Sequence, residues 1–164
     1  MGKVRWSVRT LALSDWRPAA VLAGLDRLFS ILESEESLTT LVYAVVDPRE
    51  HTIEMSDAGH LPLLIASRDG EPKLYKAVVG SLPLGIAEPR TQCTVRLRPG
   101  DTVIGFSDGL VETRQRDFEA GLRTLVECVR GFSGPLDTLL DHVVLQLLDG
   151  QAHDDVTVLA VRLS

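Results

Sequence analysis

Two acidic positions interrupt apolar runs where packing alone gives no reason for a charge. In Val103-Ile104-Gly105-Phe106-Ser107-Asp108-Gly109 the carboxylate of Asp108 follows an apolar strand and precedes a glycine, so it emerges where the backbone can turn sharply. In His153-Asp154-Asp155-Val156-Thr157-Val158 the acidic pair comes just before a very apolar run. If those runs are antiparallel neighbours in suitable register, Asp108 and Asp154 lie close together. Clustered carboxylates repel, and a hard cation such as Mg2+ or Mn2+ relieves the repulsion. Such an ion orients a phosphate and generates a nucleophilic water. The structural alternative is that Ser107-Asp108-Gly109 is a plain turn and Asp154 a loop residue capping a strand.

Other candidates carry less chemistry. His60, in Asp57-Ala58-Gly59-His60-Leu61-Pro62, reads as a hydrogen-bonded turn residue before it reads as a ligand. His153 adjoins the acidic pair, where it could support a site. No His/Cys cluster has zinc spacing, no GxSxG elbow is present and no glycine loop matches a phosphate cradle, which sets aside zinc, serine-hydrolase and P-loop chemistry.

Composition bounds the scaffold. At 164 residues, 45% hydrophobic and 24% charged, the chain reads as one globular domain over residues 1–164 with its own core. Seventeen Lys and Arg against 23 Asp and Glu give a net charge of −6, the wrong sign for a protein that binds a phosphate backbone by releasing counterions, so no nucleic-acid partner is expected. Cys93 and Cys128 are far apart with no CxxC spacing, which fits reduced thiols in a cytoplasmic protein. No run approaches the ~18 apolar residues of a membrane span. The first residues lack a signal-peptide pattern, and Trp6 stands where a myristoylation signal needs Ser or Thr. No membrane partner is expected.

The elements that must position the carboxylates follow from periodicity. From Pro18 to about Ser34, Leu22, Leu25, Leu28, Phe29 and Leu32 mark one helix face, with Ser14 or Asp15 as cap and Pro18 in the first turn. Residues 39–47 and 51–59 read as a hairpin about Pro48-Arg49-Glu50. Residues 61–67 and 71–76 pair about Asp69-Gly70. A Gly- and Pro-containing loop, 80–89, precedes strands near 91–98 and 101–109, so the sheet reads as mainly an antiparallel meander. Two helices follow, on Phe118, Leu122, Leu125, Val126 and Val129, and on Leu136, Leu139, Leu140, Val143 and Leu147, before a closing strand from Asp155 to Leu163. Strands, then helices, then one returning strand predict an α+β fold.

The blocks AGHLPLLI (58–65), SLPLGI (81–86), LRPGDTVIGFSDGLVET (97–113) and HDDVTVLAVR (153–162) closely resemble the sporulation-protein-E-type, sigma-regulator branch of the metal-dependent, protein phosphatase 2C-like serine phosphatases. They occur in that family's order and cover the chain from about Thr39 onward; the last two are the specific ones. The helix beginning Pro18-Ala19-Ala20-Val21-Leu22 also resembles the one before the family's central hairpin. The resemblance implies a layered α/β/β/α sandwich with aspartates at one edge holding two Mn2+ or Mg2+ ions. It carries metal-binding, catalytic aspartates onto Asp108 and Asp154, and matches Asp155 to a neighbouring position beside the ligands rather than among them; His60 and Gly109 are further candidates for positions beside the site. It implies in-line hydrolysis of phosphoserine without a covalent intermediate, on a phosphorylated anti-sigma-factor antagonist.

The chain departs from that pattern at its start. Family members carry a strand with a Gly-Asp motif, whose aspartate bridges the metals, and a Gly-His-Gly segment, whereas residues 1–17 contain one acidic residue, Asp15, and neither motif. The sequence therefore reads as a phosphatase domain without its N-terminal strands. Expected consequences are one metal ion or none, impaired activity in this chain alone, and an exposed sheet edge that invites a homodimer. The alternative function is a catalytically inactive phosphatase-like binding module in sigma-factor regulation.

Overall fold

A computed structural model describes residues 2–32, 38–67, 70–86, 89–114, 116–148 and 155–164. The elements in chain order are α1 (Gly2–Ser14), α2 (Pro18–Leu32), β1 (Leu41–Asp47), β2 (Thr52–Ala58), β3 (Leu63–Ala66), β4 (Lys73–Tyr75), β5 (Cys93–Arg96), β6 (Thr102–Phe106), α3 (Asp108–Val111), α4 (Phe118–Val129), α5 (Leu136–Leu148) and β7 (Val158–Arg162). The α+β expectation is met: every paired strand is antiparallel to its neighbour. The chain divides into two compact units, residues 1–60 with 76–97 and residues 61–75 with 98–164.

The first unit holds the sheet β1-β2-β5 and helices α1 and α2. Val21, Leu22, Leu25 and Phe29 of α2 pack with Ala58 and Leu84, and Val4, Val8, Leu11 and Ala12 of α1 close over them. The sequence reading has no helix at 2–14, because Lys3, Arg5 and Arg9 interrupt it; the stripe Val4, Val8, Leu11 nevertheless has helical spacing. The helices approach so closely that a methyl group at Gly24 would meet the Leu11 side chain 2.7 Å away. The capping expectation needs adjustment. The Asp15 carboxylate accepts the Arg17 N–H at 3.0 Å and pairs with its guanidinium, while the first-turn N–H of Ala19 goes to Oε1 of Gln92 at 3.1 Å.

The second unit holds the sheet β4-β3-β6-β7 and helices α3 to α5. Leu64, Ile104 and Phe106 from the strands meet Leu110, Val111, Leu125, Val129, Leu139, Val143 and Leu147 in one buried cluster. The predicted helices at 118–129 and 136–147 are present within a residue.

A single meander is not what forms. After β2 the chain leaves its sheet at Gly59, whose φ of +69° suits glycine, and Pro62 has no N–H with which to extend the ladder. β2 therefore takes β5 as its second neighbour, and β3 takes β6. The hairpin β3–β4 forms as expected, although Asp69 of its turn lies outside the described residues.

Candidate functional site

The β6–β7 ladder decides where the acidic residues go. Its register runs from Thr102 opposite Arg162 to Phe106 opposite Val158, the side-by-side antiparallel pairing on which the metal reading depended. The pairing continues one step past the strands. The Ser107 N–H donates to the Thr157 carbonyl at 3.0 Å, the Thr157 N–H donates to Ser107 Oγ at 2.9 Å, and the Ser107 hydroxyl donates to the Asp155 carbonyl at 3.1 Å. Asp108 and Asp155 thus stand at the same end of one sheet, each one residue beyond a bonded position or at it. Asp154 and His153 lie outside the described residues.

Asp108 is exposed and opens the short helix α3, while Gly109, Leu110 and Val111 behind it are buried. Its Oδ1 accepts the Gly109 N–H at 2.9 Å, and its carbonyl accepts the Glu112 N–H at 2.9 Å. The sequence reading carries the strand through Gly109, with a plain turn as its structural alternative; α3, at four residues, is too short to show periodicity. Arg116 holds the other end: its guanidinium donates to the carbonyls of Leu110 and Val111 at 3.3 Å and of Leu147 at 2.6 Å. α3 ends at Val111, so the arginine satisfies the last two carbonyls of that helix. Gly121 of α4 lies against the Val111 carbonyl so closely that any Cβ would overlap it. Asp117 caps α4 by accepting the Ala120 N–H at 2.8 Å.

His60 belongs to the first unit, where its Nδ1 is 3.2 Å from Thr40 Oγ1. In the same connection Asp57, 2% exposed, is fully engaged. Its Oδ2 accepts the Val78 N–H at 3.0 Å, its Oδ1 accepts the Ser81 hydroxyl, and Ser81 Oγ accepts the Gly59 N–H at 3.0 Å. Asp57 is therefore a structural acceptor for the loop at 78–81.

An exposed carboxylate at a strand end is a hard oxygen donor, so Asp108 fits one ligand position of Mn2+ or Mg2+. Among the described residues no group of three or more His, Cys, Asp or Glu could hold a metal; they supply one fitting ligand and not a complete set. Ser107 and Arg116, whose hydrogen bonds flank α3 on either side of Asp108, are residues to which the sequence reading gave no role. Serine before Asp-Gly was a visible signal; Arg116 gave none.

The profile of the family described as Stage II sporulation protein E (SpoIIE) matches residues 1–164. The phosphoserine phosphatase RsbU of Bacillus subtilis is 25% identical over 170 residues, covering 99% of this chain and 50% of its own length. The chain thus spans half of that relative. The crystal structure of the RsbU and RsbW domains of a Mycobacterium tuberculosis protein superimposes with a TM-score of 0.87 at 24% identity, over 99% of this chain and 46% of that one. The Mn-presoaked phosphatase domain of the cell fate determinant SpoIIE from Bacillus subtilis gives 0.66 at 20% identity, over 99% and 74%. These likenesses establish the fold as that of protein phosphatase 2C-like domains. With the SpoIIE profile running the length of the sequence and Asp108 at the strand end where its Ser-Asp-Gly block predicts it, the chain belongs to the SpoIIE family.

Proposed function

We propose that residues 1–164 act as one phosphatase domain that hydrolyses phosphoserine on a protein of the anti-sigma-factor-antagonist type, in the cytoplasm, with Mn2+ or Mg2+ as cofactor. The observation that carries this reading is the Ser107–Thr157 pairing, which sets Asp108 and the segment entered through Asp155 at one sheet end. Asp108 and Asp154 would hold the ion, with Asp155 and Gly109 beside them. When bound, the ion supplies Lewis acidity toward a phosphate and a strong nucleophile from water near neutral pH. The chain's own part is orientation: the Gly109 N–H fixes one oxygen of the Asp108 carboxylate. His60, bonded to Thr40, serves the connection after β2.

Activity of this chain alone is proposed to be weak, because residues 1–17 carry neither the Gly-Asp nor the Gly-His-Gly motif. A homodimer is proposed through the exposed edge of the second unit's sheet. Among the described residues β7 stands at one end of that sheet, and an end strand presents backbone N–H and C=O groups open to strand pairing. A monomer by light scattering at high concentration contradicts that part.

The test of function is turnover of a phosphoserine protein by the full chain with Mn2+. Slow, metal-dependent phosphate release that disappears in Asp108→Asn supports the reading. Metal-independent release contradicts it. Partner binding without any release favours the non-catalytic binding module, for which the lack of Gly-Asp and Gly-His-Gly motifs in residues 1–17 is the supporting observation.

A further inference from the structure

We infer that Ser107 is a positioning residue, which holds Asp108 at a fixed place against the segment 155–157. Serine at the position preceding a helix ordinarily turns its hydroxyl onto the first-turn N–H groups of its own helix. Ser107 occupies that position before α3, with φ −90° and ψ 162°, yet its side chain makes no cap bond to the helix. The hydroxyl is spent across the sheet instead. It accepts the Thr157 N–H at 2.9 Å and donates to the Asp155 carbonyl at 3.1 Å, while the Ser107 backbone N–H donates to the Thr157 carbonyl at 3.0 Å.

Three bonds therefore tie one residue to two positions of the incoming chain just beyond the last ladder pair, Phe106–Val158. The geometry needs an atom that accepts and donates at once, which a hydroxyl does and a methyl cannot. Asp108 is covalently next to this clamp, and its helix is fixed at the far end by Arg116 on the Leu110 and Val111 carbonyls. With both ends of α3 held, the backbone that carries Asp108 is fixed by Ser107 and Arg116, and the Gly109 N–H holds one oxygen of its carboxylate. The role assigned to Ser107 rests on the metal reading of Asp108 only for its purpose; the clamp itself stands on the hydrogen bonds.

The test uses the full chain with Ser107→Ala and Ser107→Thr. Residue-resolved amide exchange in metal-free protein judges the clamp, and calorimetric Mn2+ titration judges what it serves. Ser107→Ala is expected to speed exchange at Thr157 by about tenfold, to disturb the amide signals of residues 108–111, and to weaken Mn2+ binding several-fold. Ser107→Thr, which keeps the oxygen, restores all three. Should the alanine variant fail to fold, Ser107→Cys, of similar size with only a weak donor and acceptor, carries the same comparison. Unchanged exchange at Thr157 in the alanine or cysteine variant, or a threonine variant no better than alanine, overturns the inference. Wild-type chain without Mn2+ binding but with the exchange pattern intact refutes the metal reading and leaves the clamp supported.

Discussion

Arg90 and Asp26 form a buried ion pair, with Nε 2.6 Å from Oδ2 and only 1% of the arginine side chain exposed. The guanidinium also donates to the carbonyls of Leu82 and Pro83 at 2.8 and 3.0 Å, and Asp26 Oδ1 accepts the Gly85 N–H at 3.0 Å. One pair thus joins helix α2 to the loop at 82–90 within the first unit. Removing Asp26 takes a carboxylate from the buried guanidinium and the acceptor from the Gly85 N–H. Asp26→Ala is expected to lower stability by about 3–5 kcal/mol, read from urea unfolding; a loss under ~1 kcal/mol contradicts the desolvated pairing.

Gly121→Ala is predicted to destabilise the second unit for a different reason. The added methyl overlaps the Val111 carbonyl, and backbone on both sides leaves no flexible group to yield. The expected cost exceeds about 2 kcal/mol. The same substitution at Gly2, where nothing lies within 4 Å, has no such clash, and equal losses at the two sites would refute the packing account.

Asp47 carries a pH dependence whose sign follows from its bonds. The N–H groups of Glu50 and Arg49 hold its exposed carboxyl below the ordinary 3.8. A lowered folded-state value means the charged form is favoured in the fold. Its contribution is complete above 3.8 and is withdrawn as pH falls through the lowered value. Asp47→Asn should therefore flatten the acid limb of the stability profile and leave its neutral region little altered in slope; an unchanged acid limb counts against the turn bonds.

Much of this architecture was legible because the signals were local. The stripes of α2, α4 and α5 repeat over several turns, and Asp-Gly at 69–70 marked the β3–β4 hairpin. Ser107-Asp108-Gly109 likewise advertised a sharp strand end, whereas the side-by-side pairing of its strand with the last one entered only as a condition, which the β6–β7 ladder meets. Sheet membership was not local. Whether β2 continues to β3 or accepts β5 depends on Gly59 and Pro62 turning the chain away, a choice settled by long-range packing. The same holds for Gln92 capping α2 from 73 residues away and for Arg116 reaching the Leu147 carbonyl: long polar side chains find backbone partners that no spacing rule encodes. Helix α1 was hidden by its arginines, which face outward while Val4, Val8 and Leu11 face in.

The cysteines should be slow to alkylate. Burial, reinforced at Cys93 by the Asp57 charge, raises both thiols above 9.0, so little thiolate exists near neutrality. Iodoacetamide labelling of the folded chain is expected to be slow at pH 7 and to accelerate only above pH ~9; rapid labelling at pH 7 contradicts the burial argument.

Calorimetric titration of the full chain with Mn2+, beside Asp108→Asn, tests the central claim that this strand end is a metal site to which Asp108 contributes a ligand. The account predicts weak binding of at most one ion, lost in Asp108→Asn while the fold is retained, since the side chain is exposed. Two tightly bound ions, or identical isotherms for the two proteins, would contradict it.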